Sequence, residues 1–161
     1  MTDLAELLAA NKGFAAGYEP VLGQRPRDAL AVITCIDARI DALSALGLRL
    51  GDANVIRNAG GRVTDDVLRS LAVATHLLGV ETVVVMQHTN CGVAGVSDAE
   101  LRERTGADLD FRPIDDHATA LRADVDALAQ APFLSSVTAI AGLLYDVTTG
   151  LVSDVVDWRR T

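Results

Sequence analysis

Two short stretches of the chain gather residue types that do chemistry. One is Cys35-Ile-Asp37-Ala-Arg39 and the other is His88-Thr-Asn-Cys91-Gly92. Between them they hold both cysteines of the chain and one of its three histidines. If the backbone stays extended, Cys35, Asp37 and Arg39 point to one side, because side chains alternate with a period of two. Arg39 can then hold Asp37 through paired hydrogen bonds. In the second stretch Cys91 falls at the start of a turn or helix, where backbone N–H groups favour a thiolate. Gly92 lets the backbone pass close to the site. Two thiolates and an imidazole are three of the four donors that tetrahedral zinc takes, and three protein ligands leave one position for water or substrate, the pattern of a catalytic site. The gap between Cys35 and Cys91 is too wide for a zinc-finger loop and suits ligands delivered by two adjacent strands. Plainer readings exist for each part. A buried cysteine is often just a small apolar residue, and an Asp two residues before an Arg is commonly a surface ion pair of little worth. Coincidence of all the parts at two strand ends is hard to put down to accident, and on spacing alone zinc and plain packing both stay open.

Those strand ends follow from the hydropathy pattern. Residues 29–35 form a short run, apolar on both faces, which predicts a strand buried in a parallel sheet. Residues 82–88 give the clearest strand of the chain, and 54–57 a second short one. Thr64 precedes Asp65 and Asp66, and Val67, Leu68, Leu71, Ala74, Thr75 and Leu78 then recur at helical spacing until Gly79. A helix over Asp3 to Asn11 is predicted from Leu4, Leu7 and Leu8, with Thr2-Asp3 as its cap. Residues 13–27 read as a loop and 41–48 as a short helix, with Gly51 ending that stretch. Ser97 and Glu100 have capping-box spacing, 110–116 reads as a polar loop, and Leu121, Val125 and Leu128 mark one more helix. Residues 137–145 and 151–156, joined by a Thr148-Thr149-Gly150 turn, predict an antiparallel return at the edge. Alternating strands and helices predict a single α/β domain: a mostly parallel central sheet, an antiparallel edge strand and flanking helices. In such sheets ligands bind beyond the carboxyl ends of the strands.

Composition sets the outer limits. The chain has 161 residues, enough for one compact domain with a core of its own. Half of them are hydrophobic and the net charge is −8, which argues against nucleic acid or an anionic membrane as partner. No apolar run approaches the ~18 residues of a membrane span. The acidic start, Met1-Thr2-Asp3, lacks the basic opening of a signal peptide. Two cysteines are too few for a disulfide framework. These features point to a soluble protein of a reducing cytoplasm.

The ordered set Cys35-x-Asp37-x-Arg39, Arg57-Asn58-Ala59-Gly60-Gly61 and His88-x-x-Cys91-Gly92 resembles the β-class carbonic anhydrases, and among them the short, archaeal-type clade. Residues 29–96 carry the resemblance, and Gly142 to Gly150 is similar to that family's C-terminal strand pair. The resemblance implies zinc on Cys35, His88 and Cys91, with Asp37 either filling the fourth position or released from it and paired with Arg39. It implies a homodimer or higher homo-oligomer, with active sites at the subunit interface and an N-terminal helix (residues 1–12) packing on the partner. The activity implied is reversible hydration of carbon dioxide to bicarbonate and a proton, with Gly60 and Gly61 as a tight wall that admits a linear substrate. The chain departs from the family at Ala38, where many members have Ser, and at Asn54-Val55-Ile56, which lacks the aromatic of the larger plant-type members.

Two other functions fit the same residues. In the first the chain would be a carbonyl sulfide or carbon disulfide hydrolase on the same scaffold, as close relatives of the family are, since those molecules are also linear and electrophilic at carbon. A dimer that keeps zinc for structure alone, with Asp37 permanently on the metal, would be a scaffold or regulatory protein. His117, beside Asp115 and Asp116, is a candidate proton relay, although a surface histidine at a helix start is the plainer reading. His76 reads as a packing or surface residue. Asn58-Ala-Gly60-Gly61 lacks the spacing of a dinucleotide fingerprint, and Gly92 to Gly95 lacks the Lys-Ser/Thr of a phosphate loop.

Overall fold

The computed structural model describes residues 3–21 and 23–159. In chain order the elements are α1 (Leu4–Ala15), β1 (Leu30–Cys35), α2 (Ala42–Ala45), β2 (Ala53–Asn58), α3 (Asp65–Leu78), β3 (Thr82–His88), α4 (Asp98–Thr105), α5 (His117–Gln130), β4 (Ala139–Tyr145) and β5 (Val152–Arg159). The five strands form one sheet in the order β2-β1-β3-β4-β5. The first four run parallel, and β5 is antiparallel to β4. This is the single-domain α/β architecture that the alternating pattern predicts.

Burial explains the order. From Ala31 to Cys35 every residue of β1 is buried, as a central parallel strand with covered faces must be. One face of the sheet, with Ile33, Val83 and Val85, packs against Val67 and Leu71 of α3 and Leu121, Val125 and Leu128 of α5. A second apolar cluster joins Cys35, Ile40, Met86, Cys91, Ile114 and Ala120. Thr64 accepts the Val67 N–H to cap α3, and Gly79 ends it in the left-handed conformation. β1 and β3 are hydrogen-bonded neighbours running the same way, so Cys35 and His88 leave the sheet at one edge.

Several boundaries move. α1 runs to Ala15, so Gly13 is helical rather than the start of a loop; a glycine in the last turn costs the helix only about 1 kcal/mol. Asp3 supplies the cap with Glu6 reaching back to it, whereas Thr2 lies outside the described residues. α2 is only four residues long and gives way to a turn at Gly47, where φ is +69°, well before Gly51. β2 and β5 extend beyond the expected spans, because ladder pairing with β1 and β4 continues past the apolar runs. Among the described residues no helix is long and apolar enough to cross a membrane.

Candidate metal centre

β1 ends at Cys35 and β3 at His88, and a turn after β3 carries Cys91 back towards Cys35. The donor atoms of Cys35, His88 and Cys91 all lie within 4.8 Å of one another, and all three residues are buried. The two sulfurs are 3.9 Å apart. A disulfide would bring them to about 2.05 Å. Two Zn–S bonds of ~2.3 Å at a tetrahedral angle would set them about 3.8 Å apart, so this pair has the separation of metal ligands. His88 completes the argument. Its Nδ1 lies 2.9 Å from the Thr89 carbonyl, which accepts from the Nδ1–H tautomer and leaves the Nε2 lone pair free. Nε2 is buried and has no hydrogen-bond partner. A buried acceptor without a partner is costly unless something occupies it. A cation held by two thiolates fits that need.

Electrostatics agree with metal-ready rather than ion-paired side chains. Burial pushes the His88 pKa down, so the ring is kept neutral. Burial also pushes the Cys91 thiol up, and the nearby Cys35 adds to this. Cys91 sits in a turn with no helix until Asp98, and the Val93 backbone N–H there does favour its thiolate, but burial outweighs it. A metal would supply the missing positive charge.

Asp37 stands at the rim. Its Oδ2 is 3.8 Å from His88 Nε2. Arg39 donates to Oδ1 from Nε at 2.8 Å and to Oδ2 from Nη2 at 2.6 Å, and the Arg39 backbone N–H adds a bond of 2.9 Å to Oδ1. These bonds hold the Asp37 carboxyl far below the usual carboxylate range. Arg39 also reaches the Asn90 carbonyl, tying this rim to the loop before Cys91. The route to this pairing differs from the extended strand expected of the sequence. β1 stops at Cys35 and the chain turns at Asp37, with Ile40 N–H donating to its carbonyl. A carboxylate that bonds the amide two residues on is the Asx-type turn, and it brings Arg39 round.

Gly60 and Gly61 lie at the other side of Cys35. Gly60 N–H donates to Cys35 Sγ at 3.3 Å. Both glycines have positive φ, +78° and +63°. A Cβ on Gly61 would meet the Thr34 carbonyl carbon at 2.9 Å, and one on Gly60 would meet Val93 Cγ2 at 2.9 Å. Gly92 differs from the expectation, since a Cβ there would meet nothing within 4 Å.

The pattern hid other polar residues. Arg62 and Asp124 form a buried ion pair, with Nε to Oδ2 at 2.7 Å. Gln87 is fully buried and donates to Asp124 at 3.4 Å. His117 is half-buried with Nδ1 on Gln87 Oε1 at 2.8 Å, so it is more than a surface helix start. One signal was available: Asp124 sits three residues after Leu121 and four before Leu128, on the apolar stripe of α5. A carboxylate there requires a buried cation. His76 is exposed and bonds the Phe133 carbonyl.

A parallel sheet that gathers two thiols, a bare imidazole nitrogen and a guanidinium-held carboxylate at its carboxyl edge defines an α/β metalloprotein with an enzyme-like centre. Comparison with known proteins narrows this. The family described as carbonic anhydrase matches residues 30–129. Beta-carbonic anhydrase 1 of Mycobacterium tuberculosis is 34% identical over 161 residues, covering 96% of this chain and 99% of its own length. The crystal structure of carbonic anhydrase from Streptococcus mutans superposes with a TM-score of 0.87 at 37% identity, over 97% of this chain and 99% of that one. A carbon disulfide hydrolase of Saccharolobus solfataricus is 45% identical over 64 residues, 40% of this chain and 31% of its own. The chain belongs to the β-class carbonic anhydrase family, and it is a lyase of that class.

Proposed function

We propose that Cys35, His88 and Cys91 hold zinc and that the chain catalyses the reversible hydration of carbon dioxide to bicarbonate and a proton. The observation that carries this is the unpartnered, buried Nε2 of His88 beside two sulfurs 3.9 Å apart. Soft thiolates with one imidazole select zinc over the harder divalent ions. When bound, the ion would supply Lewis-acid activation of a water.

The chain's own residues do the rest. Asp37 is held ionised by Arg39, so Oδ2 accepts a hydrogen bond from the reacting water and fixes the direction of its lone pair. Arg39 engages both oxygens and so keeps the carboxylate off the cation. This pairing also speaks against a structural scaffold, which needs Asp37 permanently on the metal. Gly60 and Gly61 present backbone rather than side chain beside Cys35, which suits a small linear substrate. We place the chain in the short, archaeal-type clade by the same motif set. Its working unit is a homodimer. α1 has no buried residue and leaves Leu4, Leu7, Leu8 and Phe14 more than half exposed, a face that a second copy would cover. Two free thiols this close suit a reducing compartment, the cytoplasm.

Elemental analysis joined to a stopped-flow hydration assay tests the reading. About one zinc per chain with carbon dioxide turnover is expected, and full zinc with no turnover across alkaline pH would favour the scaffold. The short but close match to a carbon disulfide hydrolase supports a second reading. Carbon dioxide, carbonyl sulfide and carbon disulfide assayed side by side separate the two, since sulfide release without hydration activity would select the hydrolase.

A further inference from the structure

The Gly60 amide donates to the sulfur of Cys35, and two devices hold it there. The first is Asn58. Its Oδ1 accepts the Arg62 N–H at 2.9 Å and its Nδ2 donates to the Arg62 carbonyl at 2.7 Å, so one side chain closes the 58–62 loop from both sides. The second device anchors the far end of that loop. Arg62 donates to Asp124 of α5 and to the carbonyls of Arg112 and Pro113, while Asp124 also accepts the Val63 N–H. The side chains of this ion pair are only 8% and 1% exposed. A buried pair of this kind is weak as a stabiliser, because desolvation offsets most of the attraction. What it does provide is a fixed position.

We infer that Asn58 and the buried Arg62–Asp124 pair are positioning residues of the metal centre, which act by keeping the Gly60 N–H on the Cys35 sulfur. This rests on Cys35 being a metal ligand. An N–H···S bond draws electron density from a thiolate, so the sulfur donates less and the cation stays more electrophilic. A centre with two thiolates gains more from this than one built of neutral imidazoles. Groups behind a ligand commonly set metal affinity within a factor of about 10–100.

The test uses the full chain loaded with cobalt in place of zinc. Two variants are compared with wild type: Asn58→Ala, and the double variant Arg62→Met with Asp124→Leu, which removes both charges together and leaves neither buried alone. Both are expected to shift the thiolate-to-cobalt charge-transfer band to lower energy, because a sulfur freed of the N–H donates more, and to lose cobalt to a chelator roughly 10–100-fold faster, because Cys35 is no longer held in place for the ion. A merely structural role would lower the melting temperature of the metal-free protein and leave band and release rate unmoved, and that result overturns the inference. A measurement on wild type needs no variant to fold. With an NMR-active cadmium isotope in the site, scalar coupling between the metal and the Gly60 amide proton is expected, and its absence equally overturns the inference. Wild-type protein that takes up neither metal would instead defeat the metal reading beneath it, which keeps the two failures distinct.

Discussion

An alanine at Gly61 is a demanding test of how the site is built. Gly61 has φ +63°, a conformation that costs an L residue roughly 1–2 kcal/mol. The added Cβ would lie 2.9 Å from the Thr34 carbonyl carbon, 3.0 Å from Cys35 N and 3.1 Å from Thr34 Cα. All three are backbone atoms at the end of β1, which is pinned between β2 and β3, so they have little room to give. Overpacking of this sort costs about 1–3 kcal/mol. Around 3 kcal/mol is therefore expected, which for a domain of this size lowers the melting temperature by roughly 6–12 °C. Gly60→Ala has the same backbone cost, but its clash at 2.9 Å is with Val93 Cγ2, the end of a side chain that can turn aside. Gly92→Ala meets nothing within 4 Å and should stay within about 0.5 kcal/mol of wild type. Thermal denaturation of the metal-free proteins, followed by circular dichroism, reads the order: Gly61→Ala worst, Gly60→Ala intermediate, Gly92→Ala unchanged. A Gly61→Ala protein that melts with wild type would refute the claim that the loop is pressed onto the Cys35 backbone.

Asp37→Ala should keep its zinc and lose about 100-fold or more in hydration rate, the scale of a positioned proton acceptor; wild-type turnover would remove Asp37 from the mechanism. Arg39→Ala should also keep zinc and lose activity most at low pH, where nothing restrains Asp37 from the cation; a uniform loss across the pH profile would contradict this. The metal-free protein should become less stable as pH falls below about 6.5. Burial depresses the pKa of His88 and His117 in the folded state, so below the unfolded value the unfolded chain binds more protons. Urea midpoints at pH 7.5 and pH 5.5 measure it, and equal midpoints would count against neutral buried rings. With zinc bound, the rate should rise through mildly alkaline pH. Two thiolates cancel the ion's charge and leave a weaker Lewis acid than three neutral imidazoles do; a flat profile from pH 6 to pH 9 would contradict that.

Sequence reasoning reached the donors because they sit where periodicity breaks. Cys35 and His88 each close an apolar run, and a strand end is the position at which a buried chain becomes exposed to ligand. It reached the Asp37–Arg39 pair by the wrong route, since extended alternation past Cys35 and an Asx-type turn both bring the two together. It missed Arg62, Gln87 and Asp124, whose role exists only once α5 is folded over the sheet. No local spacing links Arg62 to a residue 62 positions away. Helix ends at Thr64, Gly79 and Ser97 were legible because caps are local chemistry. The reach of α1 to Ala15 was not, because neither cap nor burial marks its end.

Two kinds of support thus meet at Cys35. Its own position is set by topology: β1 is paired on both sides, with Cys35 opposite Asn58 of β2. The groups that act beside it lie outside the sheet and need other anchors. On the Gly60 side these are Asn58 and the buried ion pair. On the Asp37 side the anchor is Arg57, the residue just before Asn58. Arg57 donates from Nε to the Cys35 carbonyl at 2.8 Å, from Nη2 to the Asp37 carbonyl at 2.6 Å and from Nη1 to the Ile40 carbonyl at 3.1 Å. One planar guanidinium thus ties the last carbonyl of β1 to two carbonyls of the turn that follows, one of which, that of Asp37, also accepts the Ile40 N–H. A lysine there would bring one compact charge and no fork, so it could not hold the same three points at once. The last two residues of β2 therefore grip the two loops that flank the Cys35 sulfur, Arg57 on the carboxylate side and Asn58 on the amide side. An edge strand that contributes no donor to the Cys35–His88–Cys91 group thereby anchors the loops on both sides of it.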